Sequence, residues 1–230
     1  QKGARQAVGV TVIIDVFRAA STQYYLTNIG VKQIIAVADI DTAYKLKEQR
    51  PDFILMGERG GRIQAGFDYG NSPRDILNAG LANQTVVHTT SNGVLAISNA
   101  INAERIIIAS LVCASAVARY IRELNPDTVS LVCAGIADRE RADEDTVCAE
   151  YIKSLLLNEP YNLAENIEKL KTTTGARFFD PKNSDWSPEE DFYLCTKADI
   201  FDFVLKARDD NGIIYMEKIE IEKTLQTYNV

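Results

Sequence analysis

A single histidine, His88, stands among 230 residues, and that scarcity excludes more chemistry than any other feature of the chain. A zinc site built from several histidines cannot be assembled, nor can a phosphatase that needs a histidine nucleophile and a second histidine. Catalysis falls to carboxylates, arginines, hydroxyls, backbone groups and a metal. The 4 cysteines, Cys113, Cys133, Cys148 and Cys195, form no C-x-x-C pair, and all but the last lie in apolar surroundings. They read as reduced, mostly buried thiols of a cytoplasmic protein rather than as zinc ligands or disulfides. Apolar runs such as Ile106-Ile107-Ile108 fall far short of the roughly 20 residues that a bilayer-spanning helix needs, so no membrane attachment is expected. The opening QKGARQAVGV has no long apolar stretch ahead of a small-residue cleavage site, and no signal peptide is expected there. Basic residues are also short, 25 Lys+Arg against 32 Asp+Glu for a net charge of −7. The broad positive field of a nucleic-acid binder is missing.

What is present is a hydrophobic content of 46%, enough for the full core of one large domain or two small ones. β-Branched apolar runs at 8–15, 34–38, 53–57, 85–90, 105–109 and 129–134 alternate with helical periodicity at 19–28, 42–49, 73–82, 94–99 and 114–124. Strands that are apolar nearly throughout and separated by helices are what a parallel sheet covered on both faces requires. The expected fold is a three-layer α/β/α with a mainly parallel sheet of about six strands. Residues 1–140 form the α/β part with most of the site motifs, and residues 141–230 a more helical part of the same or a second domain. There, helices are expected at 143–157, at 164–173 and from about Asp199, with a surface loop, FFDPKNSDWSPEED, between them. GIIYMEKIEI has the look of a strand, with no partner evident.

Ligands of open parallel sheets gather at the carboxyl ends of the strands, and four ends are unusually polar. VTVIIDVFRAAST delivers Asp15 to the sheet rim with Arg18, Ser21 and Thr22 behind it. An acid ending a buried strand suits Mg²⁺, which keeps most of its waters and takes one or two protein carboxylates. Arg18 is placed to grip a phosphate, or else to pair with Asp15 or cap the helix. FILMGERGGRIQAGFDYGNSP supplies glycines for close backbone approach together with Glu58, Arg59, Arg62, Asp68 and Asn71, and Ser72-Pro73 reads as a helix start. TVVHTTSNGVLAIS ends in Thr90, Ser91, Asn92 and Gly93, an anion cradle at a helix amino end. His88 alternates there with apolar neighbours and reads as a strand histidine with no chemical duty. In VSLVCAGIADRERADEDTVCAEYI, Gly135 ends a strand and Asp143, Glu144 and Asp145 open a helix, where acids favour the macrodipole in any case. Carboxylates for a divalent cation beside donors for an anion are the toolkit of metal-assisted phosphoryl chemistry. Asp15 is followed by Val16 and Phe17, which excludes the D-x-D phosphatases, and no Walker A loop occurs.

IDVFRAAST, GERGGRIQAGFDYGNSP, TTSNG, and CAG followed by DEDTVCA, in this order, resemble the 2-phosphosulfolactate phosphatase family. The likeness is clear from about Val10 to Asp145 and weaker beyond. It implies a Mg²⁺-dependent phosphatase acting on 2-phospho-3-sulfolactate, a small phosphorylated metabolite on the route to coenzyme M. Asp15, Arg18, Glu58, Arg59, Asp68, Asn71, Ser91, Asn92, Gly93 and Asp145 match positions typical of the family. On this reading Asp15 with Glu58 or Asp145 holds the metal, with Asp68 as a further hard oxygen. Arg18 and Arg59 hold the phosphoryl group, and Ser21, Thr22, Asn71, Thr90, Ser91, Asn92 and Gly93 contact the substrate. Attack by a metal-polarised water and an aspartyl-phosphate at Asp15 both stay open, as does a homodimer. The sequence departs from the family at Val94 and Leu95, at Ile136-Ala137-Asp138 and at Glu150. Those departures favour the alternative, a binding protein that keeps the phosphate cradle without turnover.

Overall fold

The computed structural model describes residues 2–135 and 142–221. Helices α1 to α9 are Lys2–Gln6, Ala19–Asn28, Ile40–Gln49, Pro73–Ile76, Ser91–Asn99, Ala114–Leu124, Asp143–Leu157, Leu163–Leu170 and Glu189–Thr196. Strands β1 to β9 are Gly9–Ile14, Gln33–Val37, Ile54–Arg59, Arg62–Ile63, Thr85–Thr89, Ala103–Ala109, Val129–Cys133, Phe203–Asp210 and Ile213–Glu220. The six apolar runs of the first half become β1, β2, β3, β5, β6 and β7.

The fold is α/β, but among the described residues its sheet has nine strands rather than about six, in the order β4-β3-β5-β2-β9-β8-β6-β1-β7. Nor is it mainly parallel: four of its pairings are parallel and four antiparallel. Two parallel triplets, β3-β5-β2 and β6-β1-β7, are joined by the β8–β9 hairpin. Ile106 pairs with Ala207, Ala207 with Met216, and Met216 with Ile34, so one row of residues crosses the seam.

The helix expected from Asp199 is therefore strand β8. Phe203, Val204 and Leu205 are buried in succession, and an apolar run without alternation fits a buried helix as well as a buried strand. The hairpin turn is Asn211-Gly212, both at positive φ (55° and 85°), as a two-residue type I′ turn demands. GIIYMEKIEI finds its partners in β2 and β8. The stretch expected as surface loop holds two short 3-10 turns, Ala176–Phe179 and Pro181–Asn183, and then opens α9.

Burial on both sheet faces explains the apolar strands. Ile34 and Ala36 of β2 enter the large core while Ile35 and Val37 enter a second one with Phe53, Leu55, Phe67 and Val87. Helix α6 presents Ala114, Val117, Ala118 and Ile121, all buried at helical spacing, and each large aliphatic side chain so buried contributes about 1.5–3 kcal/mol. Among the described residues no helix is long and apolar enough to cross a membrane.

Candidate active site

Strand β1 is buried along its whole length, and the chain leaves it at Asp15. A cavity of about 320 Å³ opens there, lined by Asp15 and Arg18 from the segment between β1 and α2, by Glu58 from β3, and by Glu144 and Asp145 from α7. Asp145 ties two strand exits together: its Oδ1 accepts from Val16 N at 2.8 Å and its Oδ2 from Gly135 N at 3.1 Å. Asp15 accepts from Ala19 N at 3.2 Å through Oδ1 alone. Glu144 is 3% exposed, and its Oε2 has no hydrogen-bond partner among the described residues. Burial lifts the Asp15 carboxyl to about 7, against the Ala19 N–H, and Glu144 and Glu58 push the same way. Burial also raises Asp145, helped by Asp15 and Glu144, and raises Glu144 itself. Burial and mutual repulsion thus oppose ionisation of this group, and the Arg177 cation only partly offsets them at Asp15 and Glu144.

The opposite wall comes from β3, from the loop before α4, from the start of α5 and from the segment before α9. Glu58 Oε2 accepts from Gly61 N. Gly61, at φ 82°, lies against the Trp186 ring so closely that a Cβ there would meet ring carbons at 2.3 Å. Asn71, Thr90 and Asn92 add amides and a hydroxyl. Arg177 is the added cation. Its Nη2 donates to Phe17 O at 3.3 Å, while Nε is buried with no hydrogen-bond partner among the described residues. Burial, and then Arg18, lower its pKa.

Nine of the residues singled out in the sequence line the cavity together: Asp15, Arg18, Glu58, Asn71, Thr90, Asn92, Gly135, Glu144 and Asp145. Arg18 pairs with neither Asp15 nor the helix end. Its Nη1 donates to Asp191 at 2.7 Å, both side chains being buried. Gly93 lies beside the site, where an added Cβ would stand 3.6 Å from Asp15 Oδ2. Ser91 opens α5, and its side chain lies outside the described atoms.

Ser21, Thr22, Arg59 and Asp68 are not in the lining. Ser21 donates to Val16 O and meets Ser110 Oγ, and Thr22 is fully buried in α2. Arg59 donates to the carbonyls of Glu58 and Ala38. Asp68 accepts from Leu55 N at 2.8 Å and lies 3.5 Å from Lys47 Nζ. Of the departures from the family, Val94 is buried beside a smaller cavity and Leu95 is exposed, so neither alters the large one. Ile136, Ala137 and Asp138 lie outside the described residues.

Sequence reasoning missed Arg177, Trp186 and Asp191, and it noted Glu144 among the acids that open a helix without giving it a place in the site. The signal available for the missed residues was the chain's single tryptophan inside a supposed loop.

The sequence profile described as 2-phosphosulpholactate phosphatase matches residues 1–210. A probable 2-phosphosulfolactate phosphatase of Bacillus subtilis (strain 168) is 33% identical over 218 residues, 92% of each chain. One from Caldanaerobacter subterraneus subsp. tengcongensis is 32% identical over 216 residues, 88% of each. One from Caldicellulosiruptor saccharolyticus reaches 40% over 150 residues, 64% of this chain and 62% of that one. The match spans the strand exits that line the cavity and the hairpin strand β8 alike, and the chain belongs to the 2-phosphosulfolactate phosphatase family.

Proposed function

We propose that the chain is a Mg²⁺-dependent phosphomonoester hydrolase acting on a small anionic hydroxy acid phosphate, 2-phospho-3-sulfolactate being the substrate that its relatives' names indicate. The observation that carries this reading is the meeting, in one cavity, of Asp15 lifted to about 7, the unpartnered Glu144 Oε2 and the Arg177 cation.

The donor set suits a hard cation. Among the described residues no three acidic, Cys or His side chains converge closely enough to hold a metal by themselves. Mg²⁺ does not need that many, because it keeps several waters and takes one or two carboxylates. Asp145 uses both oxygens on backbone N–H groups, which leaves Asp15 and Glu144 to hold the ion. When bound, it would offset the charge of phosphate and nucleophile and acidify a water.

Arg177, with the guanidinium N–H groups of Arg18 that do not meet Asp191, binds the phosphoryl oxygens. Asn71 and Asn92 offer amide donors to the same anion. Glu58 has one oxygen tied to Gly61 N, and its other oxygen takes the proton of the attacking water. The P–O ester bond breaks as water adds to phosphorus, and the proton that Glu58 took passes, directly or through solvent, to the departing alkoxide to give the free hydroxy acid and orthophosphate. A panel of small phosphorylated hydroxy acids, assayed for phosphate release with Mg²⁺ and with excess chelator, tests the reading. Release that requires the cation is expected; no release from any member, or release undiminished by chelator, overturns it.

A further inference from the structure

His88 sits in β5, fully buried, and is the chain's single histidine. Its ring bridges two side-chain amides that are themselves buried. Nδ1 lies 3.2 Å from Gln23 Nε2, and Nε2 lies 3.1 Å from Asn71 Oδ1. An amide NH₂ only donates and an amide oxygen only accepts, so this arrangement admits one protonation state: a neutral ring with its proton on Nε2. Burial pushes the His88 pKa down to about 4, which keeps the ring neutral around neutral pH.

The consequence falls on Asn71, which lines the large cavity. The two ends of an asparagine amide have nearly the same shape, and packing alone hardly distinguishes them. One orientation offers an anion two N–H donors, and the other offers it a repelling oxygen. The Nε2 proton of His88 decides between them, because a flipped Asn71 would set one donor against another. Gln23, one turn into α2, decides in turn which ring nitrogen carries that proton.

We propose that His88 is a positioning residue: by donating from Nε2 to Asn71 Oδ1 it holds the Asn71 NH₂ group toward the cavity as a fixed donor to an oxyanion of the substrate. This deepens the phosphatase reading and rests on it for the substrate's identity, though not for the hydrogen-bond chain itself. His88 touches no substrate atom and acts through Asn71 alone.

Protein labelled with ¹⁵N only at histidine gives a single pair of ring signals. The expected spectrum has Nε2 protonated and Nδ1 bare, with no titration near the ordinary histidine pKa of about 6.5. Orthophosphate should shift the Nε2 signal, and Asn71→Ala should abolish that shift. A proton on Nδ1 overturns the proposal, as does an Nε2 signal blind to orthophosphate that inhibits turnover.

Kinetics give the second arm. His88→Gln keeps an amide donor for Asn71 and should stay within about threefold of the parent kcat/KM, whereas His88→Leu should lose roughly ten- to a hundredfold. In an Asn71→Ala background the His88→Leu loss should vanish. Equal losses in both backgrounds, accompanied by a lower Tm, would mean that His88 only packs. If the parent protein turns over no phosphate ester, the phosphatase reading fails, and the tautomer and the orthophosphate shift still decide this one.

Discussion

Two groups of buried acids flank the same cavity, and they have been treated in opposite ways. Asp191 is saturated: Oδ2 takes Arg18 Nη1 at 2.7 Å, and Oδ1 takes Ser72 Oγ at 2.9 Å and Arg74 N at 3.0 Å. It locks α9, α4 and the exit of β1 to one another. Across the cavity Asp15, Glu144 and Asp145 crowd together, with backbone N–H groups on Asp15 and Asp145 and the Arg177 cation acting on Asp15 and Glu144 without a direct ion pair among the described residues. A buried pair with all its hydrogen bonds made belongs to the scaffold, whereas buried like charges left to repel one another are stable only if something else supplies the missing positive charge. The contrast separates an acid bound into the scaffold, Asp191, from acids left facing the cavity.

The largest expected effect follows from removing one charge of the crowded group. Asp15→Asn keeps the volume and takes away the cation contact proposed above, so on that reading kcat should fall by at least about a thousandfold, roughly 4 kcal/mol of barrier. Metal-free stability should be equal or higher, since repulsion is relieved. A Tm that drops together with activity would move Asp15 into the scaffold. Asp191→Asn should do the reverse. With Arg18 left buried and unneutralised, unfolding free energy should fall by about 3–5 kcal/mol in a denaturant titration. Unchanged stability would show that the saturated group holds nothing.

The pH response sharpens the same comparison. Asp15 has an ordinary pKa of 3.8 and a folded value of about 7, so it binds its proton more tightly when folded. Its contribution to stability is complete below the unfolded value and is lost as pH rises through the folded one. In chelator, the Tm of the protein relative to Asp15→Asn should therefore fall between about pH 4 and pH 7 and level off above, and Mg²⁺ should restore it by binding the folded state alone. A gap that stays constant over that interval would contradict the charge crowding.

The two groups also differed in how far the sequence exposed them. Asp15, Glu58 and Asn71 were legible because a strand end is a local feature, a short run of apolar residues stopped by a polar one. Asp191 was not. It lies 173 residues from Arg18, and no periodicity links an acid near the carboxyl end to an arginine near the amino end. Trp186 was hidden for the same reason, since its place against Gly61 depends on tertiary packing. The six strands of the triplets were likewise legible in their apolar runs. The β8–β9 hairpin was missed although Asp210-Asn211-Gly212 stands in plain view, a strong turn signal, because the buried start of β8 does not alternate. Arg59 shows the limit of carrying residues over by position: its guanidinium faces the carbonyls of Glu58 and Ala38.

The smallest expected effect concerns the residue the two groups share. Arg18 lines the cavity and also pairs with Asp191, so its planar fork is divided between scaffold and cavity. Arg18→Lys keeps the positive charge but offers a single nitrogen, which cannot satisfy both directions in the geometry of a guanidinium. If the ammonium stays with Asp191, stability should change by about 1 kcal/mol or less, while the donors facing the cavity are lost. The kcat/KM should then fall about tenfold, equivalent to roughly 1.4 kcal/mol, with most of the change in KM if the lost contact is uniform binding rather than one made only in the transition state. Kinetics that do not move while Tm falls would assign Arg18 wholly to the scaffold, leaving Arg177 as the cation that faces the phosphate. A fall in kcat with KM unchanged would instead place the Arg18 fork on charge that develops during the reaction, and the boundary between the two groups would run through that one side chain.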